Sequence, residues 1–142
     1  MAIENFIYFN GNCRQAVEYY AEVFGLETPQ FMICKDVPGN PDFVGTDADR
    51  AKGLVMYAGL NIKGSTVMFS DTPNGGKVTM GDNVCLTVNC ETIEETTVLF
   101  NKLKEGGRIH MDLQEVFFSK RLGKLTDKFG LSWFIVYYPE TK

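Results

Sequence analysis

The order of elements repeats within the chain, and this repetition constrains the fold more than any other feature. In each half a short apolar segment leads into a helix-like segment that ends in glycine, FNGNCRQAVEYYAEVFG in the first and VNCETIEETTVLFNKLKEGG in the second. Later in each half, NIKGSTVMF and DKFGLSWFI place a glycine three residues before a central hydrophobic residue, Val67 or Trp133. The pattern predicts one domain over 1–142, built from two modules at about 1–75 and 78–142.

Local signals predict the same order of elements in both modules. Alternation predicts a strand over 3–10, and Cys13, Ala16, Val17 and Tyr20 form one apolar stripe of the helix predicted over 11–25. A second strand is predicted over 82–89, and a capping box at Thr92 begins the helix after it. About three strands follow each helix, and in the first module two of them, within 53–71, are predicted to turn at Lys63 and Gly64. The predicted fold class is therefore α+β, with two βαβββ modules.

A four-stranded sheet with one helix has a second face that needs a partner. We expect each module to supply that partner for the other, with a cleft between them for a small ligand. The segment 36–53 is rich in proline and glycine, and it predicts a long surface loop, which would suit a lid.

Composition excludes several classes of function. The 142 residues carry 14 basic and 18 acidic side chains, a net charge of -4, which argues against nucleic-acid binding. No apolar run is long enough to cross a membrane and no signal peptide precedes the first strand, so we expect a cytoplasmic protein. The cysteines at 13, 34, 85 and 90 form no CxxC pair, and reduced thiols are expected. A catalytic Cys13 with a lowered pKa near the helix N-terminus stays an alternative.

Three segments resemble a known superfamily. YFNGNCRQAVEYYAEVFG, MFSDTP and FFSKRLGKLTDKFGLSWFI are similar to the vicinal oxygen chelate proteins, which include glyoxalases, bleomycin-resistance proteins and extradiol dioxygenases. The PhnB-like branch, often labelled 3-demethylubiquinone methyltransferase-like, is the most similar. The resemblance implies a cupped mixed sheet made of two βαβββ modules, and it implies a homodimer.

The resemblance also implies a divalent metal ion, held by His, Gln or Glu on the first and last strands of each module. Motif spacing maps those positions to Asn5, Met68, Asn83 and Phe134. Phenylalanine has no lone pair, methionine offers a soft thioether, and the two amides are neutral, so no metal and no other cofactor is expected. A relocated site at His110, with Asp112 and Glu115, is the alternative.

Strand alternation then predicts the lining of the cup. The last strand would point Phe134 inward and Trp133 towards the helices. Arg121 is the candidate anion clamp, because a guanidinium binds carboxylate or phosphate in a bidentate manner. Asp71, beside Ser70, is a candidate for the polar edge of the pocket. The full predicted pocket comprises Asn5, Ile7, Phe9, Tyr57, Met68, Ser70, Asn83, Cys85, Arg121 and Phe134.

The leading functional hypothesis is a metal-free PhnB-like protein that binds a small, partly apolar or aromatic ligand in the cup. One alternative is a glyoxalase-superfamily enzyme, a lyase, isomerase or transferase, acting without a resident metal. A methyltransferase would need an S-adenosylmethionine fingerprint, and the sequence shows none. The third alternative is a non-catalytic partner in a larger assembly.

Overall fold

The computed structural model describes residues 3–33, 53–72 and 77–138. The chain divides into two compact units, Met1–Thr79 and Met80–Lys142. Among the described residues, each unit has one α-helix and one four-stranded mixed sheet. The predicted α+β class with two βαβββ modules is confirmed.

The first unit has the sheet order β1-β4-β3-β2, with β1 and β4 parallel and the other pairs antiparallel. The β3–β4 hairpin turns at Lys63 and Gly64, as predicted, and both have positive φ, the conformation that tight hairpins favour. About three strands were expected after α1, but the sequence did not give the position of the short strand β2. The elements are β1 Asn5–Phe9, α1 Cys13–Val23, β2 Met32–Ile33, β3 Val55–Ile62 and β4 Ser65–Asp71.

The second unit repeats this topology, with the sheet order β5-β8-β7-β6 and a parallel pair between β5 and β8. Its helix begins at the predicted cap, where the Thr92 hydroxyl accepts the Glu95 N–H at 3.0 Å. The Glu95 carboxylate accepts the N–H of Glu91, the residue before the cap, at 2.8 Å, so it satisfies a backbone donor next to the one that a standard capping box would use. The elements are β5 Leu86–Cys90, α2 Ile93–Leu103, β6 Arg108–Val116, β7 Ser119–Thr126 and β8 Ser132–Tyr137.

Each helix buries its apolar stripe against one face of its own sheet. In the first unit the Phe69 ring stacks with Phe9 at 6.3 Å between centroids and with Tyr20 of α1 at 5.8 Å. In the second unit, Leu103 of α2 is fully buried, as are Leu125 and Ile135 of the sheet. The opposite face of each sheet is covered by no helix of the described ranges, and we call it the helix-free face.

Two predictions fall wholly or largely on residues that lie outside those described. The predicted loop over 36–53 is described only at Gly53, and Cys34 is not described. The described cysteines Cys13, Cys85 and Cys90 form no disulfide. No helix among the described residues is long and apolar enough to cross a membrane.

Candidate functional site

The orientation predicted for β1 is wrong by one residue. Phe9 is fully buried against Phe69, on the face that α1 covers, and Asn5 and Ile7 share that face because alternate residues of a strand point the same way. The orientation follows from the parallel pairing with β4, which places Phe9 beside Asp71. Asn5, Ile7 and Phe9 therefore do not belong to the helix-free face.

The helix-free face of the first sheet carries an aromatic cluster instead. Phe6 and Tyr8 stack with their ring centroids 5.1 Å apart, and Tyr57 of β3 lies 6.4 Å from Phe6. Phe6 is 42 % exposed and Tyr8 is 49 % exposed, although both lie in a strand of a folded sheet. Met68 is directly opposite Phe6 in the register and completes the patch. We call Phe6, Tyr8 and Tyr57 the aromatic cluster.

Ser70 and Asp71, at the end of β4, have structural partners. The buried Asp71 carboxylate accepts the N–H of Cys13 at 3.0 Å and the N–H of Val55 at 2.9 Å. It thereby caps the N-terminus of α1, where the side chain of Asn12 makes no capping hydrogen bond. Ser70 is also buried, and its hydroxyl donates to the carbonyl of Asp71 at 2.7 Å. The prediction of Asp71 as a pocket edge is corrected to a helix cap.

The Cys13 thiol does not have the lowered pKa considered from the sequence. Burial raises its pKa far above the ordinary value, and the charge of Asp71 raises it further. Proximity to a helix N-terminus is outweighed because the side chain is fully buried. Cys13 is therefore a core residue.

In the second sheet, Phe134 lies on the helix-free face. Its neighbours Trp133 and Ile135 are buried on the opposite face, where β8 contacts α2. Phe134 pairs with Thr87 of β5 on one side and with Lys124 of β7 on the other. A half-buried lysine beside this phenylalanine was not foreseen from the sequence.

Two predicted pocket residues from the fifth strand precede that strand in the structure. β5 begins at Leu86, so Asn83 lies in an exposed bend and Cys85 lies just before the first strand residue. The apolar run of the sequence could not fix this start, because strand ends depend on pairing with β8. Thr87, rather than Asn83, is the residue of β5 that pairs with Phe134.

Arg121 lies on the wrong face for the predicted anion clamp. Arg121 and Gly123 are two residues apart on β7, so they lie on the same face of the sheet. A Cβ added at Gly123 would lie 2.6 Å from Cε1 of Phe100 on α2, so this face is the one that α2 covers. Arg121 therefore shares the helix-covered face. Its Nε is buried and has no hydrogen-bond partner among the described residues. The basic residue of β7 that lies beside Phe134 is Lys124.

A hydrogen-bonded chain joins three strands on the helix-free face of the second sheet. Nε2 of His110 lies 2.7 Å from Oγ1 of Thr126, which lies 3.3 Å from Oγ of Ser132. His110 occupies a β-bulge, because Ile109 pairs with Leu125 while Met111 already pairs with Lys124. Bulges redirect side chains and are frequent beside functional sites. The sequence flagged the single histidine, but it did not indicate these partners.

The residues at the expected metal positions do not fit a divalent ion. In the observed registers the partner of Met68 is Phe6 rather than Asn5, and the partner of Phe134 is Thr87 rather than Asn83. Two phenyl rings, a thioether and a neutral hydroxyl provide no carboxylate or imidazole ligand. Over the described ranges, no group of three or more His, Cys, Asp or Glu side chains could hold a metal ion, and this includes the surroundings of His110.

Comparison with known proteins gives consistent similarities over almost the whole chain. A family model described as 3-demethylubiquinone-9 3-methyltransferase matches residues 1–136. Protein YjdN of Escherichia coli K12 is 29 % identical over 139 residues, which is 95 % of this chain and 94 % of YjdN.

Solved structures show the same similarity. Protein PA1353 of Pseudomonas aeruginosa superposes with a TM-score of 0.79 at 27 % identity, over 96 % of this chain and 98 % of that one. A PhnB protein of Bacillus cereus gives 0.73 at 30 % identity, over 96 % and 99 %. A glyoxylase/bleomycin resistance protein/dioxygenase domain from Frankia sp. EAN1pec gives 0.65 at 15 % identity, over 100 % and 95 %, and shows a shared fold.

Proposed function

The chain belongs to the PhnB-like family described as 3-demethylubiquinone-9 3-methyltransferase, within the vicinal oxygen chelate superfamily, and on this premise we propose that it binds a small, partly apolar or aromatic molecule without a metal. The site proposed is the helix-free face of the first sheet. The resemblance stated from the sequence is confirmed at the level of the family, whereas the ligand and the absence of a metal are proposals.

One observation carries the proposal, the aromatic cluster of Phe6, Tyr8 and Tyr57. Two adjacent rings of β1 stay about half exposed, although the neighbouring Phe9 is fully buried. Rings arranged at 5.1 and 6.4 Å present both faces and edges to a ligand, and aromatic groups stack favourably at such separations. The tyrosine hydroxyls add hydrogen-bonding groups, so the patch suits a molecule that is apolar over most of its surface.

The donor chemistry on the two helix-free faces supports binding without a metal. A divalent ion needs charged or imidazole ligands, and the pairs Phe6–Met68 and Thr87–Phe134 supply neither. Elemental analysis of protein purified without chelator measures this directly. We expect no stoichiometric transition metal; about one equivalent of a metal, lost on replacing Thr87, would contradict the proposal.

A binding experiment with neutral probes tests the aromatic cluster. Indole and benzyl alcohol are titrated by calorimetry or ligand-observed NMR, with cyclohexanol as the non-aromatic comparison. Phe6→Ala should weaken aromatic binding about tenfold, since one stacking contact and its buried area contribute about 1.4 kcal/mol. Phe117→Ala is the matched control, because Phe117 is 98 % exposed but lies at the β6–β7 turn.

Equal affinity of wild type and Phe6→Ala for the aromatic probes would rule out this site. Mass spectrometry of the same samples separates a binder from an enzyme of the superfamily, because only an enzyme converts the bound molecule. A tightly bound probe at 100 times its dissociation constant should raise the free energy of unfolding by about 2.7 kcal/mol. The homodimer and the cytoplasmic location expected from the sequence stay predictions.

A further inference from the structure

Lys124 lies in an unusual position for a lysine. Gly123 faces α2, and Lys124 therefore points to the helix-free face, where it is paired directly with Phe134. The side chain is half-buried, although lysine is rarely buried unless it is paired. Among the described residues, no carboxylate lies within ion-pairing distance of its ammonium group. The structure therefore holds a positive charge beside an aromatic ring without a described counterion.

Two further basic residues lie on β6 near Lys124 in the register, although Met111 is the residue directly opposite it. Arg108 pairs with Thr126, the next residue of β7 with the same parity as Lys124. His110 is anchored through Nε2 to the Thr126 hydroxyl, which leaves Nδ1 without a partner among the described residues. No described carboxylate is within ion-pairing distance of Arg108 either. His110 thus contacts the hydroxyl of Thr126, while Arg108 lies opposite Thr126 in the register and Lys124 lies two residues from it on the same face of β7.

Space for a ligand lies beside Arg108 and Thr126, and its described lining does not include Lys124 or His110. A cavity of about 580 Å³ opens at this end of the second sheet. Four of its lining residues are glycines, so much of its wall is backbone. The lining residues are Met80, Gly81, Asp82, Gly106, Gly107, Arg108, Thr126, Asp127, Lys128 and Gly130.

Two of the described residues that line the cavity, Asp82 and Asp127, carry carboxylates. Asp127 is buried, and it accepts the N–H groups of Phe129 and Leu131 and the indole N–H of Trp133. Its oxygens are therefore occupied by the turn. Asp82 is exposed on the cavity wall, and Lys128 adds another basic group to the lining. On β6, Asp112 follows His110 by two residues.

We infer that the second sheet carries an anion site, in which Lys124, His110 and Arg108 around Thr126 bind the carboxylate or phosphate of a small organic molecule. Ammonium, imidazole and guanidinium groups all donate hydrogen bonds to such oxyanions, and the bonds are stronger when a charge is involved. This site goes beyond the proposed function and depends only on the second unit. Binding at the aromatic cluster of the first unit is not required for it.

The single histidine provides a direct readout of this site. One imidazole spin system reports on His110, because the chain contains one histidine. Benzoate, acetate and inorganic phosphate are titrated separately, with benzyl alcohol as a neutral probe of the same ring size as benzoate. We expect an oxyanion, but not benzyl alcohol, to shift the His110 resonances in a saturable manner, and comparing the carboxylates with phosphate identifies the preferred group.

Substitutions on one strand supply the matched comparison. Lys124→Gln should weaken oxyanion binding about tenfold, as expected for loss of one charge-assisted hydrogen bond. Lys120→Gln is the control, since Lys120 is exposed on the same strand with the same parity, about 13 Å further along. Backbone amide spectra establish that both variants stay folded.

Two outcomes would overturn the inference. One is that no oxyanion shifts the His110 resonances; the other is that Lys124→Gln and Lys120→Gln bind the oxyanion equally well. If benzoate and benzyl alcohol bind alike and Phe6→Ala weakens both, the aromatic cluster is supported and the anion site is rejected. If benzoate binding depends on Lys124 and not on Phe6, the anion site is supported, and the neutral probes indole and benzyl alcohol decide separately whether the aromatic cluster binds.

Discussion

Replacing Asp127 by alanine should destabilise the protein strongly, because the turn before β8 is organised around its carboxylate. That group accepts the N–H of Phe129 at 2.7 Å, the N–H of Leu131 at 3.2 Å and the indole N–H of Trp133 at 2.7 Å. Trp133 and Asp127 are 2 % and 3 % exposed, so water cannot replace the acceptor at the indole. The DKFGLSW segment is therefore predicted to be structural rather than catalytic.

The magnitude follows from the burial of each donor. A hydrogen bond to a charged group contributes about 1.5–3 kcal/mol, and a buried donor left without a partner costs about 1–3 kcal/mol. The hydrogen bond from the buried indole contributes its full value to the loss. Phe129 and Leu131 lie in a half-buried turn, so water can replace part of the hydrogen bonding of their N–H groups. We expect Asp127→Ala to lower the free energy of unfolding by about 3–4 kcal/mol.

Chemical denaturation followed by far-UV circular dichroism measures this change. Asp127→Asn should cost less than Asp127→Ala, because the amide oxygen still accepts the backbone N–H groups. In a Trp133→Phe background, which lacks the indole N–H, Asp127→Asn should cost less than it does in the wild type, and the difference gives the coupling between the two side chains. A loss below about 1 kcal/mol for Asp127→Ala would refute the assignment of a structural role.

Two other predictions concern packing and pH dependence. Gly123→Ala should destabilise the protein by about 1–3 kcal/mol, because the added methyl would lie 2.6 Å from a ring carbon of Phe100. Gly59→Ala should cost less, because the methyl there meets chiefly the hydroxyl end of the Tyr57 side chain, which can move aside. Equal decreases in melting temperature for the two variants would contradict this prediction. The buried Cys13 thiol has a pKa raised above its ordinary value of 9.0, so above about pH 9 the unfolded state loses a proton that the folded state keeps. Above that pH, the free energy of unfolding should fall more steeply with pH in the wild type than in Cys13→Ala, by up to about 1.4 kcal/mol per pH unit. Equal slopes of unfolding free energy against pH in the two proteins would contradict the raised pKa.

Much of the fold could be predicted because its signals are local. The stripe of α1, the Thr92 capping box and the Lys63–Gly64 hairpin each depend on residues within a few positions of one another. The strand β2 escaped prediction because two residues carry no periodicity, and its pairing with β3 defines it. The start of β5 was placed too early for a similar reason.

The candidate site was harder to predict, because an error of one residue in the inward–outward alternation assigns every side chain of a strand to the opposite face of the sheet. In β1 both faces are rich in apolar residues, and alternation alone could not choose between Phe6 with Tyr8 and Ile7 with Phe9. In β7 the same ambiguity separated Arg121 from Lys124, and it was resolved by Phe100 packing on Gly123.

The sequence by itself determined the type and order of most of the described elements and the membership of the family. Periodicity, capping and turn residues act over short distances along the chain, and they leave their record in consecutive letters. Only the tertiary structure decided that Phe6 and Lys124 lie on helix-free faces while Phe9 and Arg121 do not. Which face a strand residue occupies is set by contacts between residues far apart in the chain, and the alternating pattern of a strand that is apolar on both faces contains no information about those contacts.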